Sequence, residues 1–444
     1  MYIDFMLKVF EENKDKVAVV YREEEYNYGW LLEKYYYWKE ELSNNNIEEN
    51  SVVAVKSDFN PDSIALLLAV IENGNIFVPI SPAVKSPEYY IEVGEVEYVI
   101  DLMGDKIEYI KTGLNVDHEL LKELKENRKS PGLILFSSGT TGKPKGALHD
   151  MVPLLNKFKV KRHTLVTITF LLFDHIGGFN TLMYILSNGG TIVAIEDRNP
   201  EEVCRMIEKY QVELLPTSPT FINMILFSKA YEKYSLDSLK IVSYGTEPMP
   251  QTTLNAFHNI FKNIRLKQTY GLSEIGIMRS KSESSDSLWV KVGGEDYETK
   301  IVDGKFLIKA KTAMMGYLNA PSPFDKDGWF HTGDRVEQKG EYIRFLGRDS
   351  EIINVGGEKV YPIEVESVIL EMESALDAAV HGEDHPMMGK VVVANIRVSE
   401  EDNNKDFIKE VKKHCRARLE KFKIPVKITL TTENLNNARF KRMR

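Results

Sequence analysis

The segment 133–146, LILFSSGTTGKPKG, holds the residue types best suited to chemistry. An apolar run leads into Ser, Thr and Gly, and Lys143 and Lys145 close the loop. Glycines let backbone N–H groups turn toward an anion, hydroxyls add donors, and lysine offers a point charge to phosphate oxygens. The pattern points to polyphosphate binding. A Walker loop needs Gly-Lys followed by Ser or Thr, four residues after its first Gly. Here two residues separate Gly139 from Gly142, and Pro144 follows Lys143, so this is a different loop. The competing reading is a Ser/Gly surface loop. The apolar strand running straight into it argues against a mere linker.

Such a loop needs a scaffold, and the flanking sequence supplies one. Apolar, β-rich runs at 17–21, 52–55, 77–80, 133–136, 165–170, 191–195 and 213–216 predict strands. Helical patterns at 30–42, 64–73 and 201–210 lie between them. Near-continuous apolar strands alternating with helices predict an α/β sheet covered on both faces. After residue 270, glycine and charge become frequent and short strands follow at 299–302, 306–309 and 342–346, which predicts a β-rich subdomain. A third texture starts near 348: a helix over 362–373 with Pro near its start, a strand over 391–398 and an amphipathic helix over 407–419. The expected division is a large N-terminal domain, 1–348, and a small α+β domain, 349–444.

The 444 residues carry a net charge of −9, with 43% hydrophobic and 28% charged residues. These are ordinary globular proportions, which exclude a disordered or fibrous chain. The acidic balance argues against general nucleic-acid binding. The most apolar stretches, 64–71 and 165–173, fall short of the roughly 20 residues that cross a bilayer. They are expected to be buried helix or strand. No apolar leader is visible at the N-terminus. Cys204 and Cys415 are the only cysteines and lie far apart, so no disulfide framework is readable and a reduced, cytoplasmic setting is the expectation.

SSGTTGKPKG resembles the phosphate-loop signature of the adenylate-forming enzymes: acyl-CoA synthetases, luciferase and peptide-synthetase adenylation domains. Further segments follow in that family's order. SYGTEPMP (243–250) resembles its adenine loop and YGLSE (270–274) its YGxTE motif. GWFHTGD (328–334) and GRDSEIINVGGEKVYPIE (347–364) resemble its ribose and hinge motifs. The resemblance spans nearly the whole chain and is nearest to an acyl-CoA synthetase. It implies a large domain that binds the substrates and a small mobile domain that closes over them.

The implied chemistry is attack of a carboxylate on the α-phosphate of ATP, then transfer of the acyl group to a thiol. By resemblance, Ser137, Ser138, Gly139, Thr140, Thr141, Gly142 and Lys145 hold the phosphates. Glu274 and Thr140 would ligate Mg²⁺. Tyr270 would stack on the adenine beside the loop of Gly245, Thr246, Glu247 and Pro248, and Gly271 and Ser273 would also contact ATP. Asp334 and Arg348 would hold the ribose. The thiol belongs to coenzyme A, or alternatively to the phosphopantetheine of an acyl carrier protein, and Gly356 and Gly357 would line its path. His175 is the candidate beside the substrate carboxylate. Asp174 either reads a polar group of the acid or caps the following helix. Gly276 is expected at the floor of a pocket for a small or medium acyl group.

Two departures from the family pattern stand out. The family's C-terminal lysine is replaced: the chain ends NARFKR before its last two residues, placing Arg439 at that position with Lys441 as the substitute if the register shifts. Arginine keeps the charge but is planar and bulkier. This motivates a further reading, a nucleotide-binding protein with impaired catalysis. At the hinge, Ser350 stands where relatives carry Asp or Lys, next to Asp349.

Overall fold

The computed structural model describes residues 1–104, 106–137 and 143–436. Among these residues two seven-stranded sheets, a six-stranded sheet and a smaller C-terminal sheet carry the architecture. The first sheet runs in the order Arg265–Gln268, Ile241–Tyr244, Leu214–Thr217, Val166–Ile168, Thr191–Val193, Val17–Tyr21, Glu24–Asn27. Its first six strands are parallel and the last is antiparallel. The second is built around Ile76–Ile80 and Val52–Lys56, with a parallel centre and antiparallel edges. Between the two sheets lies the helix Pro61–Glu72, buried along almost its whole length. A helix apolar on every side is stable only where every side is covered. The apolar stretch 64–71 is therefore an internal helix, started by Asn60 and Ser63 in a reciprocal capping box with Pro61 at the first turn.

The strand Gly132–Ser137 pairs antiparallel with Lys145–Asp150, and Ser137 faces Lys145 across the ladder. The phosphate-loop residues Ser138, Gly139, Thr140, Thr141 and Gly142 lie outside the described residues, as do Arg439 and Lys441. The predicted β-rich subdomain is an antiparallel sheet that includes Lys305–Ala310, Phe330–Lys339 and Tyr342–Arg348. The C-terminal part packs the helices Pro362–Ile369 and Lys405–Arg418 on a sheet centred on Gly389–Arg397.

Several element boundaries differ from the sequence reading. The helix begun at Pro362 ends at Ile369, four residues short of its expected end, because turns and the edge of the next strand follow. The strand expected over 165–170 is only Val166–Ile168. Asp349–Glu351 forms a 3-10 turn, and the next strand begins at Ile353. Among the described residues no helix is long and apolar enough to cross a membrane.

Candidate active site

The parallel strands align Pro216, Ser243 and Lys267 in one row and Thr217, Tyr244 and Gln268 in the next. Their carboxyl ends run into Ser218, Gly245 and Thr269, the edge where open α/β sheets bind ligands. Gly245 is pressed against Thr269: a Cβ there would sit 2.7 Å from Thr269 Oγ1 and 2.9 Å from its carbonyl oxygen. Thr246 follows with φ of +75°, a left-handed conformation that a β-branched residue adopts only when its surroundings impose it. The Glu247 carboxylate accepts hydrogen bonds from the N–H (2.9 Å) and the hydroxyl of Thr220, at the start of the helix Pro219–Ser228. Glu247 thereby anchors this loop to a helix; Pro248 follows, half-buried.

Asp334 and Arg348 face each other across two neighbouring strands, and Arg348 Nε lies 3.0 Å from Asp334 Oδ1. The Tyr270 hydroxyl donates to Asp334 Oδ2 at 2.5 Å. One face of the Tyr270 ring stacks on Phe345, with centroids 4.4 Å apart and planes 11° from parallel. The Asp334 carboxylate is 8% exposed. Burial pushes it above its ordinary pKa, against the opposing pull of Arg348 and the Tyr270 hydroxyl.

Gly271 and Leu272 pair with Ile277 and Gly276 in a tight hairpin whose loop presents Ser273 and Glu274. Gly276 takes φ of +87°, and a Cβ on Gly271 would meet the Gly276 carbonyl at 2.7 Å, so the sharp turn needs both glycines. The Tyr317 hydroxyl donates to Glu274 Oε1 at 2.6 Å, and Lys145 Nζ sits 5.3 Å from the Tyr317 ring centre. Buried His149 supports the hairpin, donating from Nε2 to the Ser273 carbonyl at 2.6 Å. Burial lowers its pKa and keeps the ring neutral. The Arg348 charge also reaches Glu274 and Tyr317, so Tyr270, Asp334, Arg348, Glu274 and Tyr317 form one electrostatic cluster.

Beside this cluster lies a cavity of about 370 Å³. Thr269, Gly271, Gly245, Thr246 and His175 line one end of it. Gly177, Thr181 and Tyr184 of the helix Ile176–Ser187 follow along one wall. Their spacing of three to four residues is one helix face. His175 is the N-cap of that helix and accepts from the Gly177 N–H at Nδ1 (3.1 Å). In the neutral ring this puts the proton on Nε2. The capping alternative for Asp174 is thereby corrected: His175 fills the cap and Asp174 is buried behind it, 3% exposed. Asp174 and Gly276 are not among the lining residues. Gly356 and Gly357 turn between Ile353–Val355 and Glu358–Val360 with φ of +60° and +98°, and neither lines this cavity.

Asp349 accepts from Arg335 Nε at 2.7 Å and pairs with Lys305 at 3.0 Å, while Ser350 is exposed. The sequence reading missed Tyr317, Phe345 and His149, which act through pairing across the sheets and have no spacing signal. It also missed Lys157, whose Nζ donates to the Ile277 carbonyl at 3.2 Å in the cavity wall.

A family model described as AMP-binding enzyme matches residues 7–318, and one described as AMP-binding enzyme C-terminal domain matches 364–441. An indoleacetate–CoA ligase of Aromatoleum aromaticum is 25% identical over 473 aligned residues, covering 94% of this chain and 92% of the relative. A 2-succinylbenzoate–CoA ligase of Bacillus cytotoxicus is 26% identical, covering 97% and 95%. Among solved structures, an anthranilate CoA ligase in complex with anthranoyl-AMP superimposes with a TM-score of 0.82 at 19% identity, covering 98% of this chain and 95% of that one. At that identity the likeness establishes the fold.

Proposed function

The chain belongs to the AMP-binding enzyme family, and from that premise we propose that it is an acid–thiol ligase. A carboxylic acid attacks the α-phosphorus of ATP, pyrophosphate leaves, and the thiol of coenzyme A then displaces AMP from the acyl-adenylate. The observation that carries this reading is the convergence of Tyr270, Asp334, Arg348, Glu274 and Tyr317 into one interacting cluster next to a partly enclosed cavity. Relatives along nearly the full length are named CoA ligases for different acids, which supports coenzyme A as the acceptor and leaves the acid to the cavity.

The residues fit an adenine nucleotide. Gly245, packed against Thr269, and Thr246 line the cavity end, where a flat base could lie against their backbone. The first step brings two anions together, so fixed positive charge must stand where negative charge develops. Lys145 and Arg348 supply it among the described residues. Mg²⁺ commonly binds through one or two carboxylates plus phosphate oxygens and water, and Glu274 fits that role. When bound, the ion would neutralise the phosphates and polarise them toward attack. Among the described residues no group of three or more His, Cys, Asp and Glu side chains is placed to hold a metal. His175, carrying its proton on Nε2 toward the cavity end, would orient the substrate carboxylate.

The division between the two functional parts is proposed at 348/349. Arg335 and Lys305 tie Asp349 to the large domain, so rotation would fall on Ser350 and the residues after it.

Acid-dependent ATP–pyrophosphate exchange tests the first half-reaction, and thioester formation with coenzyme A or an acceptor protein tests the second. Exchange requiring both an acid and Mg²⁺ is expected. Its absence with every acid offered would leave a nucleotide-binding protein and refute the ligase reading.

A further inference from the structure

The lining of the acyl cavity is strongly one-signed. Lys157, Arg162, Arg265, Lys267 and Arg279 contribute to it, and among the described lining residues there is no Asp or Glu. None of the five forms an ion pair with a carboxylate among the described residues; Lys157 donates to a backbone carbonyl, lies over the Phe158 ring and feels the Asp296 charge from a distance. The chain as a whole is acidic, at −9, so this concentration runs against its composition.

The positions of the charges follow from the sheet register. Leu214, Ile241 and Arg265 share one row, and Pro216, Ser243 and Lys267 the row two residues on. Gly245 and Thr269 come two residues later at the nucleotide end. Side chains two apart on a strand share a face, at about 3.3 Å per residue. Lys267 therefore sits roughly 7 Å behind the Thr269 level, and Arg265 roughly 13 Å behind it. The opposite wall agrees. Gly177 to Tyr184 spans about 10 Å of helix. Tyr184, at the far end, feels the Arg162 charge. Arg265 and Arg162 both act on Lys267, and with burial they lower its pKa. Leu171, Phe158 and Leu165 also line the cavity. The space thus runs from the reacting end, past apolar wall, to half-buried Lys267 and, at the exposed rim, Arg265 and Arg162, none of them ion-paired with a carboxylate among the described residues.

Resting on the ligase reading above, we infer that the acid this chain activates carries a second anionic group, making its substrate class a dicarboxylate whose distal carboxylate docks at Lys267, Arg265 and Arg162. An uncompensated cation cluster in a partly enclosed space is self-repelling, and a bound anion relieves it. A bare hydrocarbon tail would leave the repulsion in place. The distal group takes no part in bond changes: one carboxylate oxygen bonds to the α-phosphorus, the bond to pyrophosphate breaks, and the second carboxylate stays as it was.

The test is pyrophosphate release for a series of α,ω-dicarboxylic acids and their half-methyl esters, with no coenzyme A present. Omitting coenzyme A removes its phosphates as a source of the anion. At the best spacer length the diacid is expected to exceed its half-ester in kcat/KM by about tenfold or more. Lys267→Met and Arg265→Gln are each expected to collapse that ratio toward one, chiefly through KM of the diacid. Equal rates for diacids and half-esters would overturn the inference while leaving the ligase reading intact. A ratio unchanged in both variants, or a loss shared equally by both acid types, would also overturn it by pointing to ATP binding or folding. If no acid of either series releases pyrophosphate, the inference is overturned, and the exchange assay with other acids decides the ligase reading separately.

Discussion

Asp334 illustrates how one residue carries several constraints. Its carboxylate accepts from Tyr270 and pairs with Arg348 while nearly buried. Asp334→Asn keeps the shape and removes the charge, so the hydrogen bond and ion pair weaken together, at a cost of about 1–3 kcal/mol. A lower urea midpoint and a KM for ATP raised about tenfold are expected; an unchanged KM would remove Asp334 from the ribose site. Lys157 gives a pH signature. Burial pushes its ammonium down to about 8 from 10.5, against the opposing pull of Asp296. Between those values the unfolded chain holds a proton that the folded chain has released, so stability rises with pH across that window. The penalty is fully present below about 8. Urea midpoints between about pH 7 and pH 10 should therefore climb relative to those of Lys157→Met, and parallel profiles would contradict the assignment. The motif residues were legible in the sequence because their types and order recur together. Tyr317, Phe345 and Lys157 were not, since a lone aromatic or lysine is ordinarily core or surface until pairing brings it to a site.

At the scale of elements, the α/β reading followed from apolar runs that only a sheet covered on both faces could use. Boundaries were less legible, because the residues that end the Pro362–Ile369 helix do so through tertiary packing. The helix Ile176–Ser187 positions both His175 and the cavity wall, and its first turn rests on Gly178. A Cβ at Gly178 would come within 2.1 Å of the Leu172 carbonyl oxygen, which no side-chain movement relieves. Gly178→Ala should then cost about 1–3 kcal/mol by overpacking, read as a lower urea midpoint. Because Leu171 lines the cavity, KM for the acid should rise more than KM for ATP. Equal stability with unchanged kinetics would mean that the helix start is not rigid.

For the whole molecule, the question is how two parts serve two reactions. The described contacts between them include a hydrogen bond from Asn223 Nδ2 to the Leu376 carbonyl at 2.7 Å. On the other side of the proposed pivot, Asp349 is held by Arg335 and Lys305. Such partly exposed ion pairs contribute little stability, about 0–1 kcal/mol, so under the proposed pivot they would act by fixing where rotation begins. Asp349→Ala should leave the thermal midpoint nearly unchanged while altering the ratio of adenylation to thioester formation in single-turnover measurements. Equal effects on both half-reactions, or none on either, would move the pivot elsewhere.

Residue order alone determined the family resemblance, the α/β class and the identity of the motifs proposed to face the nucleotide. These are local: a glycine where a Cβ cannot fit, a carboxylate after a Tyr-Gly pair, and apolar runs at strand length. Tertiary structure decided what stands opposite what. Arg265 and Lys267 look in the sequence like alternate charges on a short strand. The register with Ile241 and Ser243, and the helix wall above them, turns those charges into one end of a partly enclosed cavity. Charge acts through space over several ångströms, so its meaning depends on neighbours far away in the chain.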